Sequence, residues 1–363
     1  MADILGLTTM LAAATALVWS GARACRIKNR FVKWGVMGLT AVLAVAVSFA
    51  AALTIVGTVK LHARSAPVPD LEVEATSERI ARGKALVDGF CSACHSRTGT
   101  LTGGLDIGEH FPLHIGSFVS SNLTPAGRLK RWSDGEVFRA IRNGVNADGR
   151  WLTLMSYTNA SNLSDDDTQA VIAYIRSVPA AGEPTPDPPS RLNLLGLLML
   201  GAGMLPSGKP VVTGSITAPP KGPTFAFGEY ILSYQDCREC HGHDLTGGVP
   251  GQLGPLGPDL NLVKQWKLSD FIDTMRTGVD PTGHQMSEQM PWRPLGRMDD
   301  EELAAVYEYL TPWFRIRAPE ARRHSARRSC RKGVRGSGQP TSADLPHPQC
   351  NMAVEREVTR CAA

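Results

Sequence analysis

The chain has 363 residues, of which 43% are apolar, enough for two domains of ordinary size and too apolar for a disordered polypeptide. Its net charge of +4 is uneven: residues 1–60 hold six Lys/Arg against one acid, residues 312–363 hold eleven against four, and the stretch between is acidic. Basic residues confined to the ends exclude the basic globular face that nucleic-acid binding needs.

In chain order, Ile4 to Ala22 is an uncharged run of 19 residues. With the basic loop after it (1–33), it reads as a candidate first membrane span or an interfacial segment. The 26 uncharged residues 34–59 would form a helix of about 39 Å, longer than the roughly 30 Å hydrocarbon core, and predict a transmembrane helix. Arg23, Arg26, Lys28, Arg30 and Lys33 lie between the two runs. The positive-inside rule holds this cluster in the cytoplasm, which puts everything after Lys60 on the outer side. Residues 60–77 read as a polar tether, 78–179 as a first block and 180–224 as a linker. Five prolines in "SVPAAGEPTPDPPS" argue there against helix or sheet. The apolar run Leu192 to Leu205 is too short to cross a bilayer and reads as a helix packed on one of the blocks. A second block covers 225–311, and the basic tail 312–363 is predicted to be disordered.

The blocks are an internal repeat. "WSDGEVFRAIRNGVNADG" from Trp132 matches "WKLSDFIDTMRTGVDPTG" from Trp266 at an offset of 134, and "AVIAYI" from Ala170 matches "AVYEYL" from Ala305 at 135. Each block has a helical pattern, and no segment alternates convincingly as a strand. A glycine sits in each opening helix (Gly83, Gly228) and a tyrosine in each closing helix (Tyr174, Tyr309). These predict a close helix crossing filled by the aromatic ring. Ser164 and Asp299, each followed by acids, predict capped starts for the closing helices.

Each block also carries one pentad, "CSACH" (Cys91, Cys94, His95) and "CRECH" (Cys237, Cys240, His241). Two thiols at this spacing suit addition to the two vinyl groups of haem, with the next imidazole as an axial iron ligand. A zinc site would need a second ligand pair, and a thioredoxin-like dithiol a βαβ setting; the sequence offers neither. The other cysteines, Cys25, Cys330, Cys350 and Cys361, lie towards the ends and imply no disulfide framework. Met155 and Met290, 135 residues apart like the closing helices, are the candidate sixth ligands, with Met286 a competitor in the second block. A thioether ligand raises the reduction potential and closes the iron to small molecules. His110, His114, His243 and His284 read as surface or supporting residues.

These features resemble two class I cytochrome c domains in tandem. "SSNLTPAG", "NLSDDDTQAVIAYIRSVP" and "RTGVDPTGHQMSEQMP" are more narrowly similar to the membrane-anchored cytochrome c subunits of periplasmic alcohol, aldehyde and sugar-acid dehydrogenases. The resemblance implies an all-α fold behind an N-terminal transmembrane anchor. It implies two covalent haem c groups, one on Cys91, Cys94, His95 and Met155, the other on Cys237, Cys240, His241 and Met290. It also implies that Pro258 orients the second histidine. The chain departs from the family in "LMSY" at Met155, where relatives commonly read "AMPY", and in having two pentads where relatives often bind three haems. The function expected is single-electron transfer, not enzymatic turnover, at the bacterial inner membrane with the blocks facing the periplasm. The donor would be a dehydrogenase, a quinol or a cytochrome, and the acceptor an oxidase or a cytochrome. Two rival expectations are a dihaem peroxidase with one open iron and a docking subunit of a respiratory complex.

Overall fold

The computed structural model describes residues 2–96, 99–205, 208–252 and 254–311; the predicted disordered tail lies outside them. Helix α1 (Ala2–Ala24) and helix α2 (Arg30–Ala63) pack along each other as a hairpin. Both are long and apolar enough to cross a membrane. α2 is longer than the uncharged run at both ends, and Asn29 caps it through Phe31 N and Val32 N. Along its length large apolar side chains such as Val45 (70% exposed) and Phe49 (64%) face outward, the reverse of a water-soluble helix.

The first block has α3 (Ser77–Leu86), α4 (Ser92–His95), α5 (Asp134–Asn143) and α6 (Asp165–Ser177). After it come α7 (Leu194–Gly201), then α8 (Phe225–Tyr234), α9 (Cys237–His241), α10 (Leu268–Thr277), α11 (Trp292–Leu295) and α12 (Asp300–Leu310). α3 crosses α6 as α8 crosses α12. A Cβ on Gly83 would strike the carbonyl oxygen of Ala170 and Tyr174, and one on Gly228 would strike Ala305 and Tyr309, as the two glycine and tyrosine pairs predict. The repeat extends to detail. α5 and α10 end at left-handed Gly144 and Gly278, conformations that favour glycine. Arg142 pairs with Asp165 (3.0 Å) as Arg276 pairs with Asp300 (2.9 Å). Ser164 and Asp299 cap α6 and α12 through Asp167 N and Glu302 N.

Two expectations need correction. A small antiparallel sheet does form, β1 (Gly116–Phe118) with β2 (Ser190–Leu192), and Ser190 belongs to the proline-rich stretch read as unable to pair. The prolines lie just before β2, where a missing N–H costs the ladder nothing, and Pro189 still accepts from Val119 N. Nor is that stretch a free linker: buried Asn122 donates to the carbonyls of Ala181 (2.8 Å) and Glu183 (3.1 Å). The apolar run does form a helix, α7, but it packs on α2 as well as on the first block.

A methyl group at either crossing should overpack it. Gly83→Ala and Gly228→Ala are each expected to lower unfolding free energy by about 1–3 kcal/mol in denaturant titration. Gly214→Ala, with nothing within 4 Å, should leave it unchanged. Asp165 gives a pH test. Burial would raise its pKa, but hydrogen bonds from Ser215, Ile216 N and Arg142 outweigh this and hold it below the usual carboxylate value. A depressed folded pKa contributes stability above the unfolded value of about 3.9 and loses it as pH falls further. Asp165→Asn should therefore flatten the loss of stability below about pH 4, measured by thermal unfolding across that range.

Candidate functional site

Each pentad lies in one short helical segment just after its opening helix. Val87–Cys91 form a wide π-helical turn that leads into α4, and α9 spans the second pentad in a single element. Cys91, Cys94 and His95 line a cavity of about 340 Å³ together with Met155, which stands on the short 3₁₀ turn Leu154–Ser156. Cys237, Cys240 and His241 line a cavity of about 360 Å³ with Met286 and Met290. The lining is mainly apolar: Leu123, Leu129, Val137 and Ile175 in the first, Leu262, Val263, Phe271 and Val306 in the second.

The histidines are held alike. His95 Nδ1 lies 2.8 Å from the carbonyl oxygen of Ser121, and His241 Nδ1 lies 2.8 Å from that of Pro258. A carbonyl only accepts, so Nδ1 carries the proton and Nε2 keeps its lone pair for a metal. Burial lowers the His95 pKa, opposed by the Ser121 bond, which favours the same neutral imidazole. Ser121 was not expected. Its role is a backbone one, and the first block has no proline at the matching place to mark it.

Burial pushes the Cys91 and Cys237 thiols up to about 12 and raises Cys94 and Cys240 as well. A redox dithiol works with a depressed thiol pKa, so this setting is the wrong one for it. Among the described residues no three His, Cys, Asp or Glu side chains converge on a common metal position, as a zinc site would require. Paired thiols beside an imidazole with free Nε2, in an apolar cavity that also holds a thioether, fit a covalently attached haem.

The two cavities share a wall: Gln235, Cys237, Cys240, His241, Gln289, Met290 and Leu295 line both. Of the four histidines read as surface residues, all are exposed, and His284 also borders the second cavity beside Met286. Met286 and Met290 hold different positions within the repeat. Leu152 N donates to Gly144 O at 2.7 Å, and Met286 N donates to Gly278 O at 2.7 Å. Met286 thus takes the place of Leu152, which leaves Met290 as the counterpart of Met155.

The turn that carries Met155 is clamped from three sides. Trp151 Nε1 donates to Ser156 Oγ (2.6 Å), which itself donates to Thr153 O (2.7 Å). Lys209 N donates to Ser156 O (2.8 Å). Arg64, just past the end of α2, donates to the carbonyls of Asn143 (2.6 Å) and Lys209 (2.8 Å). The serine of "LMSY" is therefore the centre of this clamp.

Helical blocks built around such cavities define a c-type cytochrome. The chain belongs to the cytochrome c family, whose model matches residues 80–179 and 228–312, and the family binds haem c covalently and transfers electrons. The chain is 25% identical over 269 residues to the fructose dehydrogenase cytochrome subunit of Gluconobacter japonicus, covering 71% of this chain and 53% of that protein. It is 30% identical over 179 residues to the cytochrome c subunit of a quinone alcohol dehydrogenase from Gluconacetobacter polyoxogenes, covering 46% and 36%. It is also 29% identical over 179 residues to the gluconate 2-dehydrogenase cytochrome c subunit of Pantoea cypripedii, covering 46% and 39%. The chain thus spans about half the length, or less, of these relatives.

Ser156→Ala should strand the buried indole N–H of Trp151 and cost about 1–3 kcal/mol in denaturant titration. Ser156→Thr, which keeps the hydroxyl, should recover part of that loss.

Proposed function

We propose that the protein is a membrane-anchored dihaem cytochrome c, with two class I domains in tandem, that carries single electrons from a periplasmic dehydrogenase to a downstream acceptor. The observation that carries this reading is the repetition of one complete site: a cysteine pair, a histidine fixed through Nδ1 by a backbone carbonyl, and a methionine at the matching place of the same cavity.

In this reading Cys91 and Cys94 hold one haem by thioether bonds, and Cys237 and Cys240 hold the other. His95 and Met155 would hold the iron in the first cavity, and His241 and Met290 in the second. Bound haem supplies the one-electron iron chemistry. The chain's own work is to hold it. The Ser121 and Pro258 carbonyls set the plane and basicity of the imidazoles, and the apolar linings keep the surroundings dry, which bears on potential. A methionine in each cavity favours a carrier over a peroxidase, which needs an open iron.

The hairpin of α1 and α2 anchors the protein in the inner membrane, with Arg23 at the end of α1 and Arg26 and Lys28 in the loop after it on the cytoplasmic side and both cavities in the periplasm. The relatives named as dehydrogenase cytochrome subunits support a dehydrogenase as electron donor. A quinol or another cytochrome would be alternative donors, and an oxidase or a cytochrome the acceptor.

Haem quantitation on the full chain should return two groups per polypeptide, and one after Cys91→Ser with Cys94→Ser. The oxidised spectrum should show a thioether-to-iron charge-transfer band that Met155→Ala and Met290→Ala each reduce by about half, as the loss of one of two sites predicts. A high-spin iron that turns over peroxide in the unmodified protein would overturn the carrier reading. An unchanged band in Met155→Ala would remove Met155 from the ligand set.

A further inference from the structure

We infer that α7 is a third membrane-contacting element, immersed in the outer leaflet beside the end of α2, with lipid acyl chains as its occupant. The inference rests on the reading of α2 as a membrane anchor. Residues Leu192 to Leu205, which contain α7, include no charged residue. The helix lies against α2 at backbone distance: a Cβ on Gly57 would strike the carbonyl oxygen of Leu197, and one on Gly201 would strike that of Leu53. Lys60 Nζ donates to the carbonyls of Leu200 (2.9 Å) and Gly201 (3.4 Å). That cation satisfies the end of α7, where helix carbonyls lack partners.

The level of this contact along α2 gives its depth. From Trp34, the first uncharged residue after Lys33, about 20 residues of helix cover the roughly 30 Å hydrocarbon core and reach Leu53. Contacts at Leu53, Gly57 and Lys60 therefore lie at the outer boundary of the core and in the interface above it. There α7 turns outward Leu194 (36% exposed) and Leu195 (44%), with Met204 (68%) just beyond its end. These side chains continue the apolar exposed surface of α2 at Ile55, Val56 and Val59. Such a continuous uncharged surface is unstable in water and stable in lipid.

On its other side α7 is built into the first block. Leu197 and Leu200 are buried with Phe118, Trp151 and Leu192, and Leu154 and Tyr157 pack on the same cluster. The residues that flank Met155 thus share a core with a helix in the outer leaflet. The first cavity is held at the membrane surface by that core and does not swing on a tether.

The test uses the full chain in vesicles of phosphatidylcholine and phosphatidylglycerol, with a photoreactive benzoylphenylalanine at Leu195 or Met204. Val45, midway along α2, and exposed Asp166 serve as reference positions. Lipid adducts at Leu195 and Met204 in yields comparable to Val45, with none at Asp166, are expected. Adducts at Val45 but at neither Leu195 nor Met204 would overturn the immersion of α7 and leave the anchor standing, as would cross-linking of Leu195 and Met204 only to a second copy of the chain. Absence of adducts at Val45 would overturn the anchor reading itself.

Discussion

Two carboxylates on a single guanidinium hold the repeated blocks together. Arg82 in α3 grips Asp167 with two parallel bonds (2.7 and 2.8 Å) and reaches Glu302 at 2.5 Å. Asp167 and Glu302 occupy the same position in the repeat, the third residue of each closing helix, where each N–H is taken by the helix cap. Both carboxylates are nearly buried, with side chains 9% and 2% exposed. Tyr230 of the second block adds an O–H bond of 2.6 Å to Asp167. Removing one member of such a group strands charge in the interior, at a cost of about 3–5 kcal/mol. The blocks are therefore docked in one register, because sliding would break a charged contact that water cannot replace.

That register decides how the cavities meet. α3 and α8 lead directly into the pentads, so fixing α3 against both closing helices fixes the pentads against each other. Phe90, next to Cys91, meets Tyr234 edge to face at 6.1 Å. Asn159, just after the Met155 turn, donates twice to Asp236, next to Cys237 (3.0 and 2.7 Å). The common wall of the cavities follows from these contacts. A wall backed by packed aromatic rings and satisfied polar groups on either side has little freedom to rearrange. Two redox groups held on either side of it would keep a constant separation.

Much of this was legible in the sequence because it is local or repeated. The pentads, both methionines, the helix caps and the glycine and tyrosine crossings each depend on a few residues whose chemistry admits few alternatives. Contacts made by backbone or between distant segments were not legible. Ser121 serves through its carbonyl, which any residue has. Nothing local to Arg82 marks its role, because the two acids that converge on it lie 85 and 220 residues away. Three residues of β2 pair with β1 across an interval of more than 70 residues, and no alternation over so short a stretch distinguishes strand from coil. α7 was readable as apolar and helical, but its partner α2 was not, since apolar packing is set by proximity and not by residue code.

The two copies share a scaffold and differ in what surrounds it. The first has acquired β1, β2 and α7 and the returning segment at Lys209, all gathered round the turn that carries Met155. In the second, the corresponding stretch from Gly283 to Gln289 is largely exposed, with His284 and Met286 at the mouth of the cavity. Solvent exposure and the rigidity of an axial ligand both act on the potential of a bound haem. Duplication alone would give two equal sites; the added elements brace the turn that carries Met155 against α7 and the end of α2, whereas the stretch before Met290 stays exposed. One scaffold therefore carries a braced methionine turn in the first copy and a solvent-facing stretch before the methionine in the second, so groups bound in the two cavities would sit in unequal surroundings.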